Sequence, residues 1–248
     1  PFFLYIPFNA PHTPFQVPRS YYDRYANIHD HNKRVYAGMI AAFDDAVGDI
    51  LKTLRDEGLD ENTLVFFASD NGGATYTEAT DNAPLAGGKF TLFEGGINIP
   101  LFFRWKGKVA PAHVDKMVAL PDVFTTSLAA AGIPLPQDRI YDGVNLLAHL
   151  ASETKAAHEV LFWRSLDQKA VRKENWKLFV DTMGGRKRLY DLANDKGEAH
   201  DLGASHPKKI KELEALLENW ERPLKPPLWP HVMDYRVRVG NESFMFSL

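Results

Sequence analysis

The sequence lacks cysteine altogether: none of its 248 residues is a cysteine. Disulfide bonds and thiolate metal sites are therefore excluded within this chain. A marked excess of one charge is also absent, because 29 Lys and Arg residues oppose 32 Asp and Glu residues, for a formal net charge of −3. Nucleic-acid-binding domains carry a basic footprint that this balance does not provide, so we expect no nucleic-acid partner.

Long apolar runs are the third absence. No stretch approaches the roughly 18 consecutive apolar residues of a membrane-spanning helix, so we expect no membrane span. Hydrophobic residues nevertheless make up 45% of the chain. A chain of this length and composition can bury a sizeable core, arranged as one or two domains.

The most informative segment present is Ser-Asp-Asn-Gly-Gly at residues 69–73, which directly follows an apolar run at residues 63–68. Asp70 and Asn71 would offer two hard oxygen ligands, which suit Ca²⁺ or Mg²⁺. In open α/β sheets, ligands bind just outside the carboxyl ends of the strands, where this turn would lie. An ordinary Asn-Gly turn after a strand is the alternative interpretation.

Two further loops carry chargeable side chains. His12 lies in the segment Asn-Ala-Pro-His-Thr-Pro, after the strand-like apolar run 2–6, and Lys89 lies in the glycine-flanked segment 87–96. A nucleotide-binding P-loop is excluded at Lys89. That motif needs glycine where Ala83 stands and serine or threonine where Phe90 stands.

In order and spacing, these segments resemble the sulfatase family of the alkaline-phosphatase-like superfamily. The shared pattern is a strand with a His-x-Pro loop, a strand ending in Ser-Asp-Asn-Gly-Gly, and a Gly-Lys segment followed by Glu-Gly-Gly and Pro. The resemblance extends to roughly residue 221. It implies an α/β fold in which helices sandwich a mixed or parallel sheet, followed by a small carboxyl-terminal subdomain with a four-stranded antiparallel sheet and a helix.

The resemblance also implies roles for individual residues. Asp70 and Asn71 would bind the metal, Ca²⁺ or alternatively Mg²⁺. Lys89 would be catalytic and substrate-binding, as a positive charge on the sulfate and its bridging oxygen. His12 would contact the sulfate or protonate the leaving group. Arg164 would reach a sugar or acidic group of the substrate, unless it has only a surface role.

Part of the family pattern is missing. Sulfatases use a formylglycine made from Cys or Ser in Cys/Ser-x-Pro-x-Arg, and a pair of Asp ligands nearer the amino terminus; this chain has no such motif. It begins at Pro1, directly in a strand-like run. We therefore expect a fragment, inactive alone, whose missing amino-terminal part supplies the nucleophile and further ligands. The family implies a periplasmic or secreted location.

The pattern along the chain predicts three regions. Residues 1–150 would be the carboxyl-terminal portion of the catalytic domain, with helices at 33–57 and from Pro121 to near Gly132. Residues 151–222 would form the small subdomain. Its predicted elements are strands near 160–164, 168–172, 176–181 and 188–192, and a helix at 207–221. The proline-rich tail, 223–248, is expected to lack regular structure.

These observations leave three functions open. The favoured one is hydrolysis of sulfate esters of a carbohydrate or aryl alcohol. A second is phosphonate or phosphodiester hydrolysis within the same superfamily. It gains some weight because Asn98 stands where many sulfatases have an arginine, which could bind an anion through two hydrogen bonds. The third is a non-catalytic, sulfatase-like binding module.

Overall fold

A computed structural model describes residues 1–150, 156–228, 233–240 and 242–247. The chain forms two compact units. The first comprises residues 1–63, 74–81 and 105–109, and the second comprises residues 64–73, 82–104 and 110–248. In the described part of the chain, no helix is both long and apolar enough to cross a membrane.

The first unit is built around one long helix. A short helix, α1 (Arg19–Tyr22), precedes α2 (His31–Asp56). The Asp30 side chain caps α2 by accepting a hydrogen bond from the backbone nitrogen of Lys33 at 2.8 Å. Just beyond the end of α2, Gly58 adopts a φ of +66°, which glycine tolerates without steric cost. The predicted helix at 33–57 is thus confirmed.

The apolar run at residues 2–6 does not form the predicted strand. These residues have no regular secondary structure, and their side chains are exposed, with Phe3 at 81% and Tyr5 at 77% of full exposure. A strand needs a neighbour to pair with its backbone N–H and C=O groups. No strand among the described residues pairs with this run, so apolar character alone does not produce a strand here.

The second unit begins with a two-stranded sheet, β1 (Val65–Ala68) and β2 (Leu101–Arg104), paired antiparallel. The intervening loop, 69–100, leaves and returns at the same end of the sheet, since the nitrogen of Ser69 donates to the carbonyl of Pro100 at 3.2 Å. A parallel pair would need a crossover to the opposite end. Of the two sheet types predicted, an antiparallel pair can belong to a mixed sheet but not to a purely parallel one.

Two glycine-rich segments pack backbone against backbone within that loop. The nitrogen of Gly72 donates to the carbonyl of Gly96 in α3 (Glu94–Ile97) at 2.9 Å. A Cβ added at Gly72 would lie 1.7 Å from the Gly95 oxygen, and one added at Gly95 would lie 2.4 Å from the Ala86 oxygen. The segments can approach this closely only because these positions lack side chains.

Two helices follow β2: α4 (Pro121–Ala130), as predicted from Pro121, and α5 (Leu146–Leu150). Asp122, in the first turn of α4, is fully buried. Its carboxylate accepts hydrogen bonds from the nitrogen of Val144 at 2.8 Å and from Nε2 of His158 at 2.8 Å. A buried carboxylate needs such partners, and these join α4 to the segments on either side of α5.

The predicted four-stranded sheet and helix are confirmed. The strands are β3 (Val160–Ser165), β4 (Gln168–Lys173), β5 (Trp176–Asp181) and β6 (Arg186–Asp191), each antiparallel to the next. The helix is α6 (Pro207–Glu221). Its apolar stripe packs against the sheet, and the buried residues of this core are Val171, Leu178, Leu189, Leu213 and Leu217.

The tail contains regular structure, so that expectation is wrong for residues 234–239 and 242–247; residues 229–232, 241 and 248 of the predicted tail lie outside the described residues. A hairpin forms from β7 (Asp234–Val239) and β8 (Glu242–Ser247), and Gly240 adopts a φ of +57° at the turn. Alternating apolar residues bury one face, and Phe244 and Phe246 join a cluster around Phe93. The prolines at 223–230 favoured a prediction of irregular structure, although the residues after them alternate between apolar and polar.

A buried ionic cluster joins α3 to the four-stranded sheet. The ammonium of Lys177, on β5, has no exposed surface; it lies 2.8 Å from Glu94 Oε1 and 2.9 Å from Glu198 Oε1. The backbone nitrogen of Glu94 also donates to Glu198 Oε2 at 2.6 Å. Burial raises the pKa of Glu198, and the charge of Lys177 only partly opposes this rise. We call Glu94, Lys177 and Glu198 the ionic cluster.

We expect Glu198→Gln to change how the free energy of unfolding depends on pH. The folded pKa of Glu198 lies above its ordinary value of 4.5, so between those two values the folded state binds more protons than the unfolded state. The carboxyl's contribution is complete below 4.5 and declines as pH rises through the raised pKa. Urea unfolding from below that value to neutral pH should show this decline in the wild type and not in Glu198→Gln.

Glu212→Gln is a control of opposite sign. Hydrogen bonds from Lys173 and Lys209 lower the pKa of Glu212, so its contribution is present above the ordinary value and lost as pH falls through the lowered pKa. If the stability curves of Glu198→Gln and the wild type run parallel across the whole pH range, burial does not raise the pKa of Glu198.

A second prediction concerns the glycine packing. Gly72→Ala should lower the free energy of unfolding by about 1–3 kcal/mol, because the new methyl group would overlap a backbone carbonyl that cannot easily move. Gly48→Ala, inside α2 with no atom within 4 Å of the added Cβ, should instead stabilise the protein by about 0.5–1 kcal/mol. Urea unfolding measures both values, and equal stabilities for Gly72→Ala and the wild type would contradict the packing argument.

Candidate functional site

The turn at residues 69–73 presents two oxygen donors in succession. The backbone nitrogen of Asn71 donates to Asp70 Oδ1 at 2.9 Å, and Asn71 Nδ2 donates to the carbonyl of Gly72 at 3.0 Å. The hydroxyl of Ser69 also donates to the carbonyl of Asn71 at 2.7 Å. These bonds orient both side chains and leave Oδ2 of Asp70 and Oδ1 of Asn71 as the oxygens that can bind a cation.

This donor set fits part of a site for a hard divalent cation. Carboxylate and amide oxygens suit Ca²⁺ or Mg²⁺, and Ca²⁺ takes roughly 6–8 oxygens in total. Among the described residues, no group of three or more His, Cys, Asp and Glu side chains could hold a metal ion. Asp70 and Asn71 therefore supply the right chemistry, but further ligands must complete the coordination.

The loop that carries Lys89 is fastened to the same turn. The backbone nitrogen of Lys89 donates to the carbonyl of Gly73 at 3.0 Å. Thr91 closes the loop internally, since its hydroxyl donates to the carbonyl of Gly88 at 2.8 Å. The Lys89 side chain is partly buried, with its ammonium 5.2 Å from the centre of the Phe90 ring.

Asn82 joins the two segments, although its sequence neighbourhood gives no sign of this role. Its Oδ1 accepts a hydrogen bond from the nitrogen of Gly73 at 3.0 Å. Its Nδ2 donates to the carbonyls of Gly73 and Gly87, each at 3.0 Å. One amide side chain thus fixes the spacing between the turn with Asp70 and the loop with Lys89. The structure brings these predicted site residues into one framework within the second unit.

His12 belongs to the first unit, in an exposed loop. Its backbone nitrogen donates to the carbonyl of Asn9 at 2.7 Å. Its Nδ1 lies 2.7 Å from the carbonyl of Thr13, and because a carbonyl can only accept, Nδ1 carries the proton in this bond. This contact orients the imidazole ring.

Arg164, on β3, makes contacts within the small subdomain. It lies 3.3 Å from Glu221 Oε1 and donates to the carbonyl of Lys225 at 2.8 Å. Lys169 binds the other oxygen of the Glu221 carboxylate at 2.6 Å. These contacts tie the sheet to the end of α6 and give Arg164 a structural role there. Substrate binding by Arg164 stays a prediction.

Sequence reasoning missed two residues that hold the Lys89 loop. Glu94 lies inside the recognised Glu-Gly-Gly pattern, yet no role was predicted for it. Gln168, which is 1% exposed, donates from Nε2 to the carbonyl of Phe90 at 2.8 Å and accepts at Oε1 from the nitrogen of Leu92 at 3.0 Å. No local pattern could reveal Gln168, because it is 78 residues beyond Phe90.

Comparisons with known proteins agree with these features. A family model described as Sulfatase matches residues 1–133. The uncharacterized sulfatase YdeN of Escherichia coli is 28% identical over an alignment covering 92% of this chain and 48% of that protein. The N-acetylgalactosamine-6-sulfatase of Mus musculus is 34% identical over 73% of this chain and 35% of that enzyme.

A solved structure extends the similarity to the fold. The crystal structure of Ps i-CgsB in complex with k-i-k-neocarrahexaose matches with a TM-score of 0.81 and 28% identity, over 89% of this chain and 50% of that one. The α/β fold prediction is thus confirmed. The chain spans about half the length of YdeN and of Ps i-CgsB, and about a third of the mouse enzyme.

The family match includes three of the four segments that carry candidate site residues, namely the loop with His12, the turn with Asp70 and Asn71, and the loop with Lys89; Arg164 lies beyond the matched range. It covers 133 of the 248 residues, which is more than half of the chain. The chain belongs to the sulfatase family.

Proposed function

We propose that this chain is the carboxyl-terminal part of a metal-assisted sulfuric ester hydrolase. The observation that carries the proposal is the framework in which Gly73 and Asn82 join the Asp70–Asn71 turn to the Lys89 loop. The proposed substrate is the sulfate ester of a carbohydrate or an aryl alcohol. A relative named N-acetylgalactosamine-6-sulfatase and a related structure holding k-i-k-neocarrahexaose support the carbohydrate class.

Lys89 would supply fixed positive charge to the reacting group. Attack on a sulfate ester places negative charge on the sulfate oxygens and on the departing oxygen. A preorganised cation lowers the energy of that charge distribution more than mobile water can. The backbone bond from Lys89 to Gly73 supports this role, because it fixes the point from which the side chain extends.

Asp70 and Asn71 would hold Ca²⁺, or alternatively Mg²⁺, together with ligands from outside these residues. When bound, the cation supplies electrostatic stabilisation of the sulfate oxygens. Formylglycine supplies the covalent nucleophile in this family, and no Cys/Ser-x-Pro-x-Arg motif occurs in this chain. We therefore propose that the nucleophile belongs to another part of the same enzyme, and that this chain alone leaves an aryl sulfate intact.

His12 would act as the proton donor for the leaving group. With Nδ1 donating to the carbonyl of Thr13, a doubly protonated ring would present its second proton on Nε2. That second proton could pass to the departing oxygen as the ester bond breaks. A donor of this kind matters most when the leaving group is a poor one, such as a sugar alkoxide.

We expect Asp70→Ala, in the full-length enzyme, to weaken Ca²⁺ binding by at least about 100-fold. Loss of an outer-shell partner already costs roughly 10–100-fold in metal affinity, and Asp70 would bind directly. The turn itself should survive, since its glycines and Asn82 remain. Calorimetric Ca²⁺ titration measures the change, and Asp44→Ala, at an exposed aspartate on α2, is the control. Equal affinity in Asp70→Ala and the wild type would assign Asp70 to an ordinary turn.

We also expect His12→Ala and Lys89→Ala to differ in their effects on two substrates. His12→Ala should lower kcat/KM for a sugar sulfate by about 100-fold or more and affect nitrophenyl sulfate far less, because nitrophenolate leaves without a proton. Lys89→Ala should depress both by similar factors, because the sulfate is common to the two substrates. Steady-state kinetics of the full-length enzyme give the four values.

His113→Ala and Lys208→Ala, at exposed positions, control for the loss of each side-chain type. If His12→Ala slows both substrates equally, His12 binds the sulfate and does not donate the proton. If the wild-type enzyme hydrolyses a nitrophenyl phosphodiester and spares the matching sulfate, the sulfatase proposal itself fails.

A further inference from the structure

The loop that presents Lys89 has an unfavourable backbone conformation. Phe90, the residue directly after Lys89, has a φ of +76°. The left-handed region is uncommon for residues other than glycine, particularly bulky ones, and such residues persist only when their surroundings hold them. The loop therefore needs contacts beyond its own turn to keep the backbone around Lys89 in place.

Gln168 supplies such a contact. Its amide group donates to the carbonyl of Phe90 at 2.8 Å and accepts from the nitrogen of Leu92 at 3.0 Å. The side chain therefore bridges the strained residue and the chain two residues later. Because Gln168 is only 1% exposed, water does not compete for these hydrogen bonds. Since β4 carries Gln168, the sheet itself constrains the loop.

The ionic cluster fixes the far end of the same loop. Glu94 follows Phe93, and the Phe93 ring stacks on Phe179 of β5 with centroids 4.3 Å apart. Lys177, also on β5, binds the Glu94 carboxylate, while Glu198 accepts from the Glu94 nitrogen. The loop is thus held at Phe90, Leu92 and Glu94 by residues outside it.

A purely apolar contact would not give this directional constraint. Replacing buried ion pairs with apolar residues often leaves stability unchanged or improved, so stability alone is weak grounds for such a cluster. Hydrogen bonds and ion pairs do fix orientation, however, and here they act on the backbone on the carboxyl-terminal side of Lys89. The bonds described for Gln168 reach the backbone of Phe90 and Leu92, and those of the ionic cluster reach Glu94. Through these bonds both act on the position of Lys89 by way of the loop backbone.

We infer that Gln168 is a positioning residue for the proposed sulfatase reaction, supported by the ionic cluster. Together they hold the Lys89 loop so that the Lys89 side chain extends toward the sulfate from a fixed backbone position. The inference rests on the proposed role of Lys89.

The test is a double-mutant cycle in the full-length enzyme with nitrophenyl sulfate. Gln168→Leu keeps the approximate volume and removes both hydrogen bonds, and it should lower kcat/KM by about 10–100-fold, since a displacement near 1 Å can cost about 100-fold. In a Lys89→Ala background, the same change should have less than about a twofold effect, because there is no ammonium left to position.

Gln137→Leu is the matched control. Gln137 also donates from its amide to a backbone carbonyl, that of Leu135 at 3.1 Å, but its side chain is exposed and outside the Lys89 loop. Its kcat/KM should match that of the wild type. If Gln168→Leu lowers kcat/KM by the same factor with and without Lys89, its role is only structural and the inference is overturned.

Hydrogen exchange gives a readout that needs no activity. Gln168→Leu should speed exchange of the Leu92 and Lys89 backbone amides at least about tenfold while leaving the β3–β6 core amides protected; unchanged exchange in the loop would overturn the inference. If Gln168→Leu does not fold, Gln168→Glu replaces it in both assays; because this variant keeps the acceptor for Leu92 and loses the donor to Phe90, the faster exchange is then expected at the Lys89 amide. An inactive wild-type enzyme would overturn the proposed function, and exchange alone would then decide whether Gln168 holds the loop.

Discussion

The burial of the Lys177 ammonium is the constraint on which the second unit depends. A charge with no exposed surface must find opposite charges nearby, and it finds them in Glu94 and Glu198. Glu94 begins α3, so this requirement fixes where α3 lies against the four-stranded sheet. Phe93, the residue before Glu94, packs with Phe179 and the tail hairpin in one apolar cluster.

The position of α3 in turn fixes the candidate site. Gly95 and Gly96 allow the turn containing Gly72 to approach within hydrogen-bonding distance of α3, and Asn82 sets the spacing of that turn from the Lys89 loop. The side chains of Asp70, Asn71 and Lys89 therefore project from backbone that is held on several sides. This arrangement suits electrostatic catalysis, which depends on charges placed before the reaction begins.

Much of the architecture could be predicted because its signals are local. The helix at 31–56 has an apolar stripe at helical spacing and a glycine after its end. The four strands between residues 160 and 191 are short segments separated by turn residues. Two predictions failed for different reasons. The run at 2–6 has strand-like composition but no pairing strand among the described residues, whereas the strands at 234–239 and 242–247 pair locally but follow a proline-rich segment that favoured a prediction of irregular structure.

The sequence by itself determined which chemistry the site can support. Asp70, Asn71, Lys89 and His12 could be proposed as site residues from the sequence alone, because their types and motif spacing carry the family pattern. Only the tertiary structure revealed Gln168 and the partners of Glu94, because their contacts join residues that are 76 to 104 positions apart. Hydrogen bonds at such separations leave no periodic trace in a sequence. They exist only once the sheet and the loop have folded against each other.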